Sequence, residues 1–140
     1  MPAMSGSRDP LPATLAGAPM TNELTGQQAI QQIASLHGRD MPVVSAEIGQ
    51  YANGLTVWMS IESDPAGAAD MVVRMGERIA GGGSPFELPK PFAAAPGVWI
   101  THGMGQTHFF FARGDAVWWL AAEPRLARSA LSELIAAAGG

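Results

Sequence analysis

Tyr51-Ala52-Asn53-Gly54-Leu55-Thr56-Val57-Trp58 is echoed later in the chain by Phe111-Ala112-Arg113-Gly114-Asp115-Ala116-Val117-Trp118. Each copy sets an aromatic residue before a Gly-containing turn and ends on Val-Trp. Each then runs into an acid-proline pair, Asp64-Pro65 in the first and Glu123-Pro124 in the second. An acid at the N-cap with proline at the first helical position is a helix start signal. The echo therefore predicts a hairpin followed by a helix, used twice.

Reading Asn53-Gly54 as a two-residue type I′ turn pairs strand Val43–Ala52 with strand Leu55–Ile61. Ala46 then opposes Ile61, Ile48 opposes Met59 and Gln50 opposes Val57 on an apolar face. The other face receives Glu47 with Ser60, Gly49 with Trp58 and Tyr51 with Thr56. The same turn at Arg113-Gly114 sets Phe110 against Val117 and His108 against Trp119 on the matching face. Phe109 with Trp118, and Phe111 with Ala116, fall on the other. Both faces of this second hairpin are apolar, so the second face needs a cover, which the Pro85–Gly97 loop or the first helix would supply from within the chain, or else a partner.

Helical periodicity fills in the rest. Thr25-Gly26-Gln27-Gln28 is a capping-box pattern, followed by Ile30, Ile33, Ala34 and His37 at the spacing of a buried stripe, with Gly38 as the stop. After Asp64-Pro65, the inward positions are Ala68, Met71, Val72, Met75 and Ile79. After Glu123-Pro124 they are Leu126, Ala127, Ala130, Leu131, Leu134 and Ile135. Between the second helix and the meander Val98–His102, Gln106–Ala112 and Ala116–Ala122, the segment 85–97 holds four prolines and reads as a loop pinned by Phe86 and Phe92. Met1 to Ala18 is rich in Pro, Ala, Ser and Gly without periodicity. Residues 1–22 are therefore expected to be a disordered N-terminal tail, with Met20 as the natural start, and 23–140 a single domain. The expected class is α+β, a five-stranded antiparallel sheet with helices packed on it, in the order α-β-β-α-β-β-β-α.

That order resembles the profilin-like layout of roadblock domains over about Thr25 to Ala138. The resemblance is one of topology and implies an antiparallel five-stranded sheet between helices that commonly pairs with a second copy. It transfers no site residue.

Composition narrows the function classes. The 140 residues are 47% hydrophobic and only 14% charged, which suits a compact domain whose surface meets a partner. A net charge of −4, with eight scattered Lys and Arg, argues against nucleic acid. With no cysteine there is no thiolate metal site or thiol nucleophile. No apolar run reaches the roughly 20 residues of a membrane span, and the N-terminus lacks a signal-peptide pattern, which favours the cytoplasm without fixing the compartment.

The five aromatic residues on the uncovered face, Tyr51, Trp58, Phe109, Phe111 and Trp118, are the expected contact surface of a non-catalytic module that self-associates or joins a larger complex. A small apolar ligand is a further candidate partner for it. The alternative is a metal or small-ligand binder. If Gly103-Met104-Gly105 is a three-residue loop, His102 and His108 share a face with Cβ atoms about 7 Å apart. His37 on the first helix joins them, a set that suits zinc or copper. A one-residue change in that loop would move His102 to the opposite face. No catalytic residue is assigned: Gly103-Met104-Gly105-Gln106 lies between strands, Arg113-Gly114-Asp115 is a turn, and Asp64 is accounted for as a cap.

Overall fold

The computed structural model describes residues 11–37, 44–82 and 85–138, with the backbone alone for 33–37. The first ten residues of the expected tail, the helix stop Gly38 and the strand start Val43 lie outside the described residues. The elements are β1 (Thr14–Leu15), β2 (Ala18–Thr25), α1 (Gly26–His37), β3 (Ser45–Tyr51), β4 (Thr56–Ile61), α2 (Pro65–Ala80), β5 (Lys90–Pro91), β6 (Trp99–Gly103), β7 (Gln106–Arg113), β8 (Ala116–Ala122) and α3 (Pro124–Ala137). The strands form one antiparallel sheet in the order β1-β2-β3-β4-β8-β7-β6-β5. No helix among the described residues is long and apolar enough to cross a membrane.

The α+β class is as expected, but among the described residues the sheet has eight strands rather than five. The extra strands come from residues expected to be tail and loop. β1 and most of β2 lie before residue 23, and β5 lies within the proline-rich segment. β2 is held by main-chain pairing to β3, its side chains mostly point to solvent, and its register shifts between Met20 and Asn22. Such a strand shows no period-two hydrophobicity, which is the signal sequence reading depends on. The chain before Met20 contributes to the core all the same: Leu11, Leu15 and Ala18 are buried.

The helices with acid-proline starts follow their patterns closely. Asp64 Oδ1 accepts from the Gly67 N–H at 2.7 Å, and Ala68, Met71, Val72, Met75 and Ile79 of α2 are buried. α3 buries Ala127, Ala130, Leu131 and Leu134. Glu123, however, makes no side-chain cap and instead binds Arg125 at 2.6 Å.

All three hairpin registers differ from expectation, each because of its turn. In the first, the Tyr51 N–H donates to the Leu55 carbonyl at 2.9 Å, so the loop is Ala52-Asn53-Gly54, three residues rather than two. Only Gly54 in it is left-handed (φ 84°). A type I′ turn needs positive φ at both central residues, whereas Asn53 keeps negative φ. Its side chain accepts from Leu55 N at 3.3 Å and donates to the Leu15 carbonyl at 3.3 Å. Ile48 accordingly pairs with Trp58, Ala46 with Ser60 and Gly49 with Val57. Every β4 side chain is on the face opposite to that expected relative to β3. In the second hairpin the loop is Gly114-Asp115, and Phe111 meets Trp118 while Phe110 meets Trp119. That is a shift of two, which changes partners and preserves faces. In the third, Met104 (φ 57°) and Gly105 (φ 79°) make a two-residue loop.

The sheet is covered on both sides. On one face α1 packs Ala29 against Ala46 and Ile48, and α2 packs against Phe110 and Val117. On the other face, α3 and residues 11–18 enclose the largest core, which includes Tyr51, Leu55, Val57, Met59, Phe109, Phe111, Trp118 and Leu120. The segment 85–97 clasps the far edge: Phe86 packs edge-on against His108 on the first face, and Phe92 against Phe109 on the second.

A chain starting at Met20 would lose Leu11 and Leu15, each worth about 1.5–3 kcal/mol when fully buried. Urea unfolding of that truncated chain is expected to show a loss of about 3 kcal/mol or more relative to the full chain. Equal midpoints would show that residues 11–19 contribute nothing to the core.

Candidate functional site

Four of the five expected contact residues are inside the molecule. Phe109 and Phe111 are fully buried, Tyr51 is 3% exposed and Trp118 4%. Their face does need cover, as expected, and α3 with residues 11–18 supplies most of it. Tyr51 donates its hydroxyl to the Pro12 carbonyl at 2.7 Å, and burial, helped by the Glu23 and Glu47 charges, pushes its phenol up to about 12. Phe111 stacks on Trp118 with ring centroids 6.3 Å apart.

Trp58 is the exception, and the register shows why. Because Trp58 rather than Met59 stands opposite Ile48, its side chain turns to the α1/α2 face and lies directly beside Trp119 of β8. The row continues through Phe110 to Trp99, crossing β4, β8, β7 and β6. Phe110 stacks on Trp119 at 5.1 Å with planes 9° apart, and Trp99 stacks on Phe110 at 6.5 Å and 13°. Phe110 is sealed under α2, but Trp58, Trp119 and Trp99 are each only half-buried. Trp58 packs with the α1 cluster, whereas Trp119 and Trp99 pack with the α2 cluster. Trp58 and Trp119 thus meet where the two helix clusters adjoin, and Trp99 lies at the far end of the row beyond Phe110. Trp119 and Trp99 could have been found only from the true register, since in sequence Trp119 looks like an inward partner of His108.

His102 and His108 are not brought together. The two-residue Met104-Gly105 loop pairs His102 with Thr107 and Thr101 with His108, which puts His102 on the α3 face and His108 on the α1/α2 face. His102 is exposed, with Nδ1 3.8 Å from Glu87. His108 is 3% exposed; one ring nitrogen contacts the Gly103 carbonyl at 3.1 Å and the other accepts the Trp119 indole N–H at 3.0 Å. That arrangement fixes the neutral tautomer with Nε2–H donating to Gly103, and both nitrogens are then engaged. The His37 side chain lies outside the described residues. Among the described residues no cluster of three or more His, Cys, Asp or Glu has metal-binding geometry. The expected zinc or copper set therefore loses its basis in the described side chains.

One buried acid and one half-buried acid were not anticipated as such. Glu62, read from sequence as a strand-end charge, is buried and accepts from the Ser60 hydroxyl at 3.2 Å; burial raises its carboxyl above the ordinary value. Burial and then the Glu23 charge do the same to the half-buried Glu47. Compared with known proteins, the chain matches no family model, no curated protein and no solved structure. Any functional reading rests on the arrangement of its own residues.

His108 and Trp118 are directly testable. Burial is the main cause holding the His108 imidazole below its usual value, and the Trp119 N–H favours the same neutral form. A histidine with a depressed folded pKa is protonated first in the unfolded chain. Its contribution to stability is present above about pH 6.5 and is lost as pH falls from there to the folded pKa. Ring-proton NMR is expected to show His108 titrating below the usual histidine range, with Trp119→Phe moving it back up. A His108 titrating at the ordinary value would refute the buried neutral tautomer. The Trp118 indole N–H is buried without a hydrogen-bond partner among the described residues. An unsatisfied buried donor costs about 1–3 kcal/mol, so Trp118→Phe is expected to be neutral or stabilising in thermal unfolding despite its loss of volume.

Proposed function

We propose that the protein is a non-catalytic interaction module that self-associates or joins a larger complex, with the contact made by the tryptophan row on the α1/α2 face. The observation that carries this reading is the row itself: three half-buried tryptophans in one cross-strand line on the α1/α2 face, Trp58 beside Trp119 where the two helix clusters adjoin and Trp99 beyond the buried Phe110, on a sheet whose other face is enclosed by α3 and residues 11–18. Tryptophan is enriched where protein surfaces bind, because it offers a large rigid area at little entropic cost. The Trp119 N–H is already given to His108, so a partner can cover that ring without stranding its donor.

Charge and sheet edges support the same reading. A charged fraction of 14% is well below the roughly 25% of a typical soluble domain, which lowers the desolvation cost of covering surface. The outermost strands are two residues each, and one of them is Lys90-Pro91. Short edges carrying lysine and proline resist strand addition, so association by extending the sheet is disfavoured and contact through the helix-bearing face is favoured.

Trp58→Ala with Trp99→Ala leaves the His108–Trp119 pair in place and removes two of the three half-buried tryptophans. Light scattering from micromolar to submillimolar concentration is expected to show the wild-type mass rising above that of a monomer and the double variant staying lower. The self-association form of the reading is refuted by a wild type that stays monomeric throughout. Acrylamide quenching decides the surface itself: a Trp58 fully shielded in the isolated monomer would remove it as a contact for any partner.

A further inference from the structure

Residues 11–15 cross the α3 face as a strap whose anchoring contacts come from elsewhere in the chain. Leu11 lies over Gly49, where an added β-carbon would come within 2.9 Å of Leu11 Cδ1, and Leu15 is fully buried. Tyr51 donates to the Pro12 carbonyl at 2.7 Å, Asn53 Nδ2 to the Leu15 carbonyl at 3.3 Å, and Glu133 accepts from the Ala16 N–H at 3.0 Å. A body that grips a strap by its backbone and two leucine anchors grips the same segment equally well from another copy.

The hinge that folds the strap back is strained. Ala16 (φ 51°) and Gly17 (φ 84°) are both left-handed, and a β-carbon is crowded in that region. Straightening the hinge releases the crowding, while a strap placed in a second molecule keeps its leucine burial and the hydrogen bonds from Tyr51 to the Pro12 carbonyl and from Asn53 to the Leu15 carbonyl. Short strained hinges favour such exchange.

We infer that two copies exchange residues 11–15, each strap filling the other's groove and β1 pairing with the partner's β2 in a closed two-fold dimer. The strap lies on the α3 face and the tryptophan row on the α1/α2 face, so exchange and row stand or fall separately. Association entropy opposes the exchange, which is therefore concentration-dependent.

The absence of cysteine makes a direct test clean. Thr14 pairs with Pro19, both exposed, and the adjacent Met20 N–H to Ala13 carbonyl bond marks their pair as a non-hydrogen-bonded one. Cα atoms at such a pair are about 4.5 Å apart, within disulfide range. Thr14→Cys with Pro19→Cys, equilibrated at submillimolar concentration under reductant and then oxidised, is expected to run as a covalent dimer on non-reducing denaturing gels, above the background of Thr14→Cys alone. Adding Ala16→Gly removes the hinge strain in both copies and is expected to raise the dimer's dissociation constant roughly a hundredfold, about tenfold for each of the two hinges; deleting Ala16 and Gly17 should make the dimer predominant. Crosslinks confined within single chains would overturn the exchange. If light scattering still reports a dimer in that case, the interaction reading survives without it; if it reports a monomer at all concentrations, self-association fails as a whole.

Discussion

The antiparallel pairing of β4 with β8 is the contact on which the rest of the molecule depends. It joins two hairpins, each able to form locally, into one continuous sheet, with Trp58 against Trp119 on one face and Met59 against Trp118 on the other. Because strand side chains alternate, this pairing and the turn before each strand decide together which aromatic residues share a face. The tryptophan row, the enclosed α3-side core and the separation of the histidines all follow from these two constraints.

The two faces are closed by different means. Helices α1 and α2 leave a seam over one face, where Trp58 and Trp119 lie side by side. The other face is covered by α3 and by residues 11–18, which include a strap with little regular structure of its own. Its hold depends on single side chains, Tyr51, Asn53 and Glu133, reaching its backbone. Asn53 links strap and register: the side chain that bonds the strap belongs to the turn that sets the β3–β4 pairing. One asparagine thus shapes both the sheet and its cover.

Much of the fold was legible from local signals. Asp64-Pro65 and the stripe Ala68, Met71, Val72, Met75, Ile79 located α2, and the apolar positions after Pro124 located α3, because a capped amphipathic helix carries its own period. The division of the second hairpin's faces, with Phe109 and Phe111 on one side and His108 and Phe110 on the other, was also readable. Strands β1, β2 and β5 were not, since edge strands held by main-chain bonds need no hydrophobic pattern. Of the candidate site only Trp58 was named from sequence. Trp119 and Trp99 join it through partners that no local window contains.

By itself, the sequence determined the α+β class, the three helices, the turn positions to within a residue and the presence of an aromatic-rich sheet. Only the tertiary structure decided which aromatics are open. The physical reason is parity: a hairpin loop of two residues and one of three differ by a single left-handed φ, which propensity barely distinguishes, yet that difference sends every following side chain to the other face. Asn53 at negative φ moved Trp58 into the tryptophan row, and Met104 at positive φ parted His102 from His108.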